Sequence, residues 1–181
     1  MLSNAFNESA AKDLSTLTPL MFLMIAVVIF LFTRTITGTV STLVVVIFSI
    51  TTAMGIGGWL GMYLTPASAS FMNIIMTLAI ADSIHIISSF VHGLKKGLDK
   101  RDAILESLRV NFLAVFLTSF TTVIGFLSMN FSDSPPFRDL GNLTSMGMVG
   151  AWLFSMTTLP ALLMIFPVWI KKKETVEFRQ P

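Results

Sequence analysis

The segment FMNIIMTLAIADSIHIISSFV, residues 71–91, determines how the rest of the chain is interpreted. A helix of about 20 mainly apolar residues crosses the ~30 Å hydrocarbon core of a bilayer, and this segment has that length. Asp82 lies near its middle, and His85 follows one helical turn later. The segment therefore predicts a membrane-spanning helix that carries a carboxyl group deep in the bilayer.

The composition of the whole chain also indicates a membrane protein. Of its 181 residues, 54% are hydrophobic and only 12% are charged, which is too few charges to cover the surface of a soluble domain of this length. The chain contains no cysteine, and this excludes disulfides and thiolate metal sites. Its net charge of +2 is too small to indicate a nucleic-acid partner.

Five apolar segments are long enough to cross the membrane, and their helical periodicity predicts an all-α bundle. Residues 1–16 are then an external N-terminal remnant, and residues 171–181 are a cytoplasmic tail. The charged segment 93–109 is interpreted either as an interfacial helix that begins at Asp99 or as a solvated loop. The five predicted spans have the approximate limits 17–33, 40–60, 71–91, 110–129 and 141–170.

The basic residues predict the orientation of the chain. If the N-terminus lies outside, ten of the twelve Lys and Arg residues fall on the inner side, and only Lys12 and Arg138 fall outside. This predicts a periplasmic N-terminus and a cytoplasmic C-terminus. Because the first apolar run has no signal-peptide pattern, two interpretations remain: a piece of a larger protein with an earlier span and an external domain, or a complete five-span protein.

Asp82 is the strongest candidate for a functional residue. The other nine of the ten acidic residues fall in loops, tails or the edges of spans. An ionised carboxylate at the bilayer centre costs at least ~2.5–3.5 kcal/mol, and removal from water favours the protonated form. Asp82 is thus either a proton-relay group or a protonated carboxyl that hydrogen-bonds between helices. His85, Ser89 and His92 follow on one face, and the proton path from Asp82 toward the cytoplasm is predicted as far as His85, with His92 as a polar residue at the membrane boundary.

Other polar and small residues have predicted supporting roles. Hydroxyl groups near mid-depth would either donate hydrogen bonds to Asp82 or bond back to their own helix. Pro160 leaves the carbonyl of Met156 without its helical donor and predicts a kink. Small residues that would allow close helix packing are Gly57, Gly61, Gly147 and Gly150. The relay-supporting hydroxyls are Ser83, Thr118, Ser119, Thr121 and Thr122.

Two stretches of the sequence resemble a known family. They are IADSIHIISSF, residues 80–90, and LTSFTTVIGFLSMNFSDSPPFRDLGNLTSMGMVGAWLFSMTTLPALL, residues 117–163. Together they resemble the resistance-nodulation-division superfamily, and most closely its MMPL-type and predicted-exporter branch, which is related to Patched and to sterol-sensing domains. The resemblance covers nearly the whole chain. It implies helices two to six of one six-helix half, with a first span, an external domain and a second half, or another copy, as missing partners.

The resemblance also implies a function. An aspartate on the fourth helix of a half belongs to the family's proton relay, and it corresponds to Asp82. Where many members have Gly and Tyr, this chain has Leu78 and Ser83, so His85 or the hydroxyls of residues 118–122 would replace the Tyr as hydrogen-bond partner.

We therefore expect the membrane portion of a proton-motive-force-driven exporter of lipids or other hydrophobic molecules. Its expected location is the bacterial inner membrane, and efflux would occur by proton antiport. The alternative is a sterol- or lipid-sensing regulatory module without transport activity. We expect no enzyme activity, cofactor or metal, because no nucleophile, metal cluster or phosphate-binding loop stands out.

Overall fold

A computed structural model describes residues 18–33, 35–65 and 68–167. All the regular structure in these ranges is helical. Two short 3-10 turns, Ser68–Ser70 and Ser128–Phe131, lie beside the α-helices. The α-helices are α1 (Thr18–Thr33), α2 (Ile36–Trp59), α3 (Phe71–Lys95), α4 (Lys100–Leu127), α5 (Pro135–Met156) and α6 (Thr158–Ile165).

The lengths of the helices confirm an all-α membrane protein. Because α6 continues α5, the described residues form five helical rods, and four of these are long and apolar enough to cross a membrane. The first rod, α1, has 16 residues, which corresponds to about 24 Å at 1.5 Å per residue. The predicted external segment 1–16 and the predicted tail 171–181 lie outside the described residues.

Helix α5 lies at the centre of the bundle, where it packs against α2, α3, α4 and α6. At one end of the bundle Phe71 and Ile75 of α3 form an apolar cluster with Leu143 of α5. At the other end Phe90 of α3 belongs to a cluster that includes Leu163 of α6. The spanning helices are therefore held together at both ends by apolar contacts, and the polar residues of α3 lie between them.

Two glycines of the predicted packing set lie where helices approach closely. A Cβ atom added to Gly147 would overlap the side chain of Ile75, and one added to Gly57 would overlap the side chain of Leu143. At Gly150 the nearest atoms would be 3.7 Å away, which is ordinary van der Waals contact. Gly147 thus lets α5 and α3 approach closely, and Gly57 does the same for α2 and α5.

The prediction that Gly61 packs between helices is wrong. Its φ is +71°, a left-handed conformation that glycine adopts without steric cost. No atom of the described residues lies within 4 Å of the position a Cβ atom would take. After the end of α2, Gly61 donates a hydrogen bond to the carbonyl of Gly58 at 3.1 Å. Gly61 therefore terminates the helix.

A helix does begin at Asp99, the N-cap residue of α4, as one interpretation of the sequence predicted, but it is no separate interfacial helix because it continues into the membrane-spanning segment. Helix α4 begins at Lys100 rather than near residue 110, so residues 100–109 form the first turns of a membrane-spanning helix. The connection is reduced to residues 96–99, where Gly97 has a φ of +90°. Hydropathy predicts a later start for this helix because residues 100–109 carry basic and acidic side chains. These residues are nevertheless helical, and Ala103 and Ile104 pack in the apolar core.

Helix α5 also begins earlier than predicted, at Pro135 instead of near residue 141. Proline is tolerated in the first turn because its missing N–H has no helical acceptor there. Toward its C-terminal end the rod is interrupted at Thr157, which has a φ of −115° and a ψ of −61°. Thr157 directly follows Met156. Pro160 has no N–H to donate to the carbonyl of Met156, and the interruption at Thr157 separates α5 from α6.

Candidate functional site

Helix α4 faces α3 along a line of residues that we call the α4 seam, and the neighbouring Ile104 packs in the same apolar cluster as Phe90 of α3. Four of the seam residues are buried, and Asn111 is half-buried. They recur at every fourth position, so they lie on one side of the helix. The α4 seam consists of Ala103, Ser107, Asn111, Val115 and Ser119.

The polar members of the α4 seam bind α3 directly. The hydroxyl of Ser107 donates to the carbonyl oxygen of Ile86 at 2.5 Å. Nδ2 of Asn111 donates to Oγ of Ser89 at 2.8 Å. At the N-terminal end of the α4 seam, Ala103 lies so close to Gly93 that a Cβ atom added to Gly93 would be 3.1 Å from the Ala103 Cβ. These contacts fix how α4 is rotated about its own axis relative to α3.

The outermost polar contact of the α4 seam is the candidate site. Oγ of Ser119 donates to Oδ2 of Asp82 at 3.3 Å. Both side chains are buried, with relative exposures of 7% for Asp82 and 5% for Ser119. A separation of 3.3 Å is long for an O–H···O bond, so the hydroxyl is a weak partner for the carboxyl group. In the described part of the chain, no Lys or Arg forms an ion pair with Asp82.

The other predicted hydroxyls do not bond to Asp82. Oγ of Ser83 donates to the carbonyl of Ala79 at 2.8 Å. Thr118 donates to carbonyls of its own helix and is exposed. Thr121 is also exposed and bonds to its own helix, and Thr122 is half-buried. The structure therefore selects Ser119 from the predicted group as the hydrogen-bond partner of Asp82.

The polar face predicted on α3 is divided by the fold. Asp82 is buried and Ser89 is half-buried, and both contact the α4 seam. His85 and His92 are exposed on the outside of the bundle. At 100° per residue the four residues span an arc of about 80° around the helix axis. Helix α4 covers the part of this arc that holds Asp82 and Ser89 and leaves the part with the two histidines uncovered. Among the described residues, neither histidine therefore extends the polar contact between Asp82 and Ser119.

Helix α5 contributes buried polar atoms that sequence reasoning missed. Oγ1 of Thr144 and Oγ of Ser155 have no hydrogen-bond partner among the described residues, and neither does Nε1 of Trp152. Thr144 and Ser155 are both fully buried at 0% exposure. The sequence gives no signal for them, because a hydroxyl in a membrane helix is expected to bond to its own backbone.

The chain can now be compared with known proteins. Residues 2–180 match the sequence profile of the MMPL family. The chain belongs to the MMPL family. This confirms the resemblance to MMPL-type membrane proteins within the resistance-nodulation-division superfamily, and it favours a role related to membrane transport.

A relative of this MMPL protein occurs in Methanocaldococcus jannaschii, where its name describes it only as a membrane protein. The two sequences are 26% identical over 159 residues, which is 88% of this chain and 41% of the relative. The chain thus spans less than half the length of the relative that it matches.

A lipid environment explains the remaining surface of this MMPL protein. The outer side of α4 exposes large apolar side chains, including Leu113 at 62%, Phe112 at 50% and Phe120 at 51%. Phe112 and Phe120 each stack on Phe116, with ring centroids 6.3 and 5.7 Å apart. Such a surface would be unfavourable in water, and it is the surface expected of a helix that borders hydrocarbon.

Proposed function

We propose that this chain is the membrane portion of a proton-motive-force-driven exporter of lipids or other hydrophobic molecules. In this proposal Asp82 binds and releases the transported proton, and the protein is a transporter rather than an enzyme. The observation that supports it is the burial of a carboxyl group between α3 and α4 with one weak hydroxyl partner. A lipid sensor without transport activity would not need a titratable group at this depth.

Ser119 suits such a relay because a hydroxyl is both a donor and an acceptor. It can donate to the ionised carboxylate and, after its hydrogen has rotated away, accept a bond from the protonated acid. Asp82 can therefore change its protonation state without first separating α3 from α4. A lysine or arginine partner would hold the carboxylate permanently ionised and would prevent this exchange.

Ionisation of Asp82 would change how α3 and α4 pack. A buried carboxylate is stable only if water or further donors reach it, and the single long bond from Ser119 does not satisfy it. We infer that the ionised form admits water along the α4 seam and loosens the contact between the two helices. Protonation would close the contact again, and this alternation couples the proton to the shape of the bundle.

The decisive experiment replaces Asp82 by Asn, which keeps the size and hydrogen bonding but removes the titration. Because the chain spans 41% of its relative, the substitution is made in the longest natural reading frame that contains it. Everted membrane vesicles are energised to establish a pH gradient, and transport of the hydrophobic dye N-phenylnaphthylamine is followed by fluorescence. Asp82→Asn is expected to insert and fold normally but to abolish proton-coupled transport.

The matched control is Asp139→Asn, which makes the same chemical change on a half-buried aspartate near the outer end of α5. It is expected to transport normally. If Asp82→Asn also transports normally, Asp82 is only a hydrogen bond between helices and the proposal is wrong. Loss of expression or insertion in Asp82→Asn would likewise favour the structural role.

Two further variants rank the partners of Asp82. Ser119→Ala removes the hydroxyl donor and is expected to slow transport by roughly fivefold, the effect of losing about 1 kcal/mol of hydrogen bonding. His85→Ala is expected to have a smaller effect, because His85 is exposed on the outside of the bundle whereas Ser119 bonds to Asp82. If the His85 variant is the more impaired of the two, the contact seen in the structure is not the one used during transport.

We also propose that the chain lies in a bacterial inner membrane with its N-terminus on the periplasmic side. The support is the charge distribution, because residues 95–101 contain four basic residues between α3 and α4. Since the chain has no native cysteine, single cysteines at Lys96 and Asp133 can be labelled in spheroplasts with a membrane-impermeant maleimide. Asp133→Cys should react and Lys96→Cys should not until the membrane is opened. The reverse pattern would contradict the proposed orientation.

A further inference from the structure

The α4 seam forms two polar side-chain contacts with α3. In the first, Ser119 donates to Asp82, and we call it the Asp82 contact. In the second, Asn111 donates to Ser89, and we call it the Asn111 contact. Both residues of the Asp82 contact are buried, whereas both residues of the Asn111 contact are half-buried. Since Asp82 and Ser89 are seven residues apart, the two contacts lie about 11 Å apart along the helix axis.

The Asn111 contact still has hydrogen-bonding capacity for water. Nδ2 of Asn111 uses both of its hydrogens, one for Oγ of Ser89 and one for the carbonyl of Ser107, each at 2.8 Å. In the described part of the chain, Oδ1 of Asn111 accepts no hydrogen bond and the hydroxyl of Ser89 donates none. A half-buried acceptor beside a half-buried donor suits a water molecule, which uses both. The Asn111 contact is therefore a place in the α4 seam where water can bind.

An apolar block separates the two contacts. On α4 the seam residue between them is Val115, and on α3 the residue between them on the same face is Ile86. Each of these side chains has a relative exposure of 2%. Apolar side chains at a narrow point exclude water and thereby stop conduction, as in the gates of channels. Val115 and Ile86 therefore keep Asp82 apart from water at the Asn111 contact.

The surroundings of Asp82 differ in the two directions along α3. Toward the end that carries Lys95, the helix reaches the half-buried Asn111 contact. Toward the other end, the next residues on the face of Asp82 are Ala79 and Ile75, which are apolar and fully buried. On this face of α3, the polar site that water can reach therefore lies on the Lys95 side of Asp82.

We propose that protons reach Asp82 through the α4 seam, from water held at the Asn111 contact, and that Val115 and Ile86 are the gate on this path. The inference rests on the proposed function, because it supplies a route for the transported proton. When the gate admits water, each water molecule accepts one proton and passes another on, so only Asp82 changes its charge. At ~2.8 Å per hydrogen bond, about three water molecules bridge the ~11 Å between the contacts. His85 is not part of this path, because it is exposed outside the α4 seam.

Silver-ion labelling of single cysteines tests whether water reaches the Asn111 contact, since the chain has no native cysteine. Ser89→Cys and Leu113→Cys are prepared in membranes opened on both sides and exposed to Ag⁺, and the remaining free thiols are measured with a fluorescent maleimide. Leu113 is the matched control, because it lies two residues from Asn111 and is 62% exposed on the apolar side of α4. Because the thiolate is the reactive form and is disfavoured in apolar surroundings, Ser89→Cys should react roughly tenfold faster than Leu113→Cys.

The gate is tested with a cysteine at Ser119, on the far side of the apolar block. Alone, Ser119→Cys should react as slowly as Leu113→Cys. Val115→Ser replaces a buried apolar side chain by a smaller hydroxyl, and by admitting water it should speed the reaction of Ser119→Cys roughly tenfold. The matched control is Val110→Ser, at a position of α4 that is 61% exposed, and it should leave the rate unchanged.

Other labelling results contradict the proposal. If Ser89→Cys reacts no faster than Leu113→Cys, water does not reach the Asn111 contact. Rapid reaction of Ser119→Cys without Val115→Ser would show that the apolar block is no gate. Equal gains from Val115→Ser and Val110→Ser would show that the effect is not local. Combining Val115→Ser with Leu113→Cys detects a general loosening of the bundle, and a gain there also contradicts a local gate.

Deuterium exchange of the Asp82 carboxyl group measures proton access without silver or cysteine. The carboxyl band of Asp82 in the infrared spectrum is identified by its absence in Asp82→Asn, and its shift is followed after transfer into D₂O. Val115→Ser should speed the exchange roughly tenfold because water then reaches the acid, and Val110→Ser should not. Equal exchange rates in the two variants would contradict a gate at Val115.

Neither measurement requires export, so failure of the path and failure of the proposed function are distinguishable. If Asp82→Asn transports normally, the proposed function and the proton route that rests on it are both wrong, whatever the labelling rates. If Asp82→Asn abolishes transport but labelling and exchange show no gate at Val115, the proposed function stands and the proton takes another path.

Discussion

Helices α3 and α4 look alike in the sequence but differ in how much of each is buried. Both belong to apolar rods of similar mean hydropathy that are long enough to cross a membrane. Half of the central window of the α3 rod, Ser68–Lys95, is buried inside the bundle, against 11% of the window of the α4 rod, Lys100–Phe131. Hydropathy therefore identifies both as membrane helices but does not reveal which of them lies inside.

The side chains at the contacts explain the difference. Helix α4 meets α3 mainly through the small and polar residues of the α4 seam, whereas leucines such as Leu113 and Leu117 are exposed. Against α5 it places Phe112 and Phe116, whose rings pack edge-on against Trp152 with centroids 6.1 and 5.6 Å apart. In lipid there is no hydrophobic driving force between helices, so close packing and hydrogen bonds decide which faces meet. Large apolar side chains are favourable against lipid as well as against protein, so hydropathy does not show which face makes contact.

The largest expected effect compares a glycine of α5 that packs against α3 with a glycine on the open side of α4. Gly147→Leu would drive a side chain into Ile75 of α3 and should lower the free energy of unfolding by about 3 kcal/mol, as in overpacked cores. The control is Gly125→Leu on α4, where no atom lies within 4 Å of the added Cβ. Unfolding by sodium dodecyl sulfate in mixed micelles, followed by circular dichroism, measures both.

Gly125→Leu should be neutral or slightly stabilising, because leucine favours the helix more than glycine does. Similar losses of stability in the two variants would mean that α4 is covered where the structure leaves it open.

The next effect compares two faces of α4 itself. Ser107 is 1% exposed and donates to the carbonyl of Ile86 on α3. Ser107→Leu should separate the helices and destabilise the protein by about 2 kcal/mol, within the range for overpacking. Thr118→Leu makes a similar change at an exposed position and should have little effect in the same unfolding assay. A greater loss from Thr118→Leu would place the contact of α4 on the other face.

A smaller effect concerns a single hydrogen bond of the α4 seam. Asn111 donates to Oγ of Ser89 at 2.8 Å, so Asn111→Ala should cost about 0.6–1.7 kcal/mol, as for other hydrogen bonds between membrane helices. Thr121→Ala removes a hydroxyl that bonds only to carbonyls of its own helix and should change stability less. A double-mutant cycle with Ser89→Ala then isolates the coupling energy between Asn111 and Ser89. A coupling energy of zero would show that this bond does not hold α3 and α4 together.

The smallest effect lies at the inner end of α4. Nζ of Lys100 donates to the carbonyls of Met164 at 2.9 Å and Phe166 at 2.8 Å, at the C-terminus of α6, where a positive charge is favourable. Lys100→Met should cost a few tenths of a kcal/mol, and high salt should reduce the difference from the wild type. Arg101→Met, an exposed neighbour, serves as the control and should be neutral. Equal effects of both would indicate a general charge effect and no specific cap.

Sequence alone determined the features that depend on local composition. The apolar length of residues 71–91 predicted helix α3, which runs from Phe71 to Lys95. The carboxyl group of Asp82 was identifiable as a deep residue because charged residues are otherwise absent from that segment. The ordered motifs by themselves indicated the MMPL-type family. Length, hydropathy and motif order suffice for these conclusions because each is a property of contiguous sequence.

Only the tertiary structure decided which side of each helix makes contact. Thr118 and Ser119 are adjacent in the sequence, yet a rotation of 100° per residue places the first on the outside and the second against Asp82. His85 was separated from Asp82 in the same way, as the edge of α4 falls between them. In a bilayer both faces of a helix find a favourable surrounding, so hydropathy does not specify its rotation. That rotation comes from small contacts such as Gly147 with Ile75 and Ser107 with Ile86, which join residues far apart in the chain.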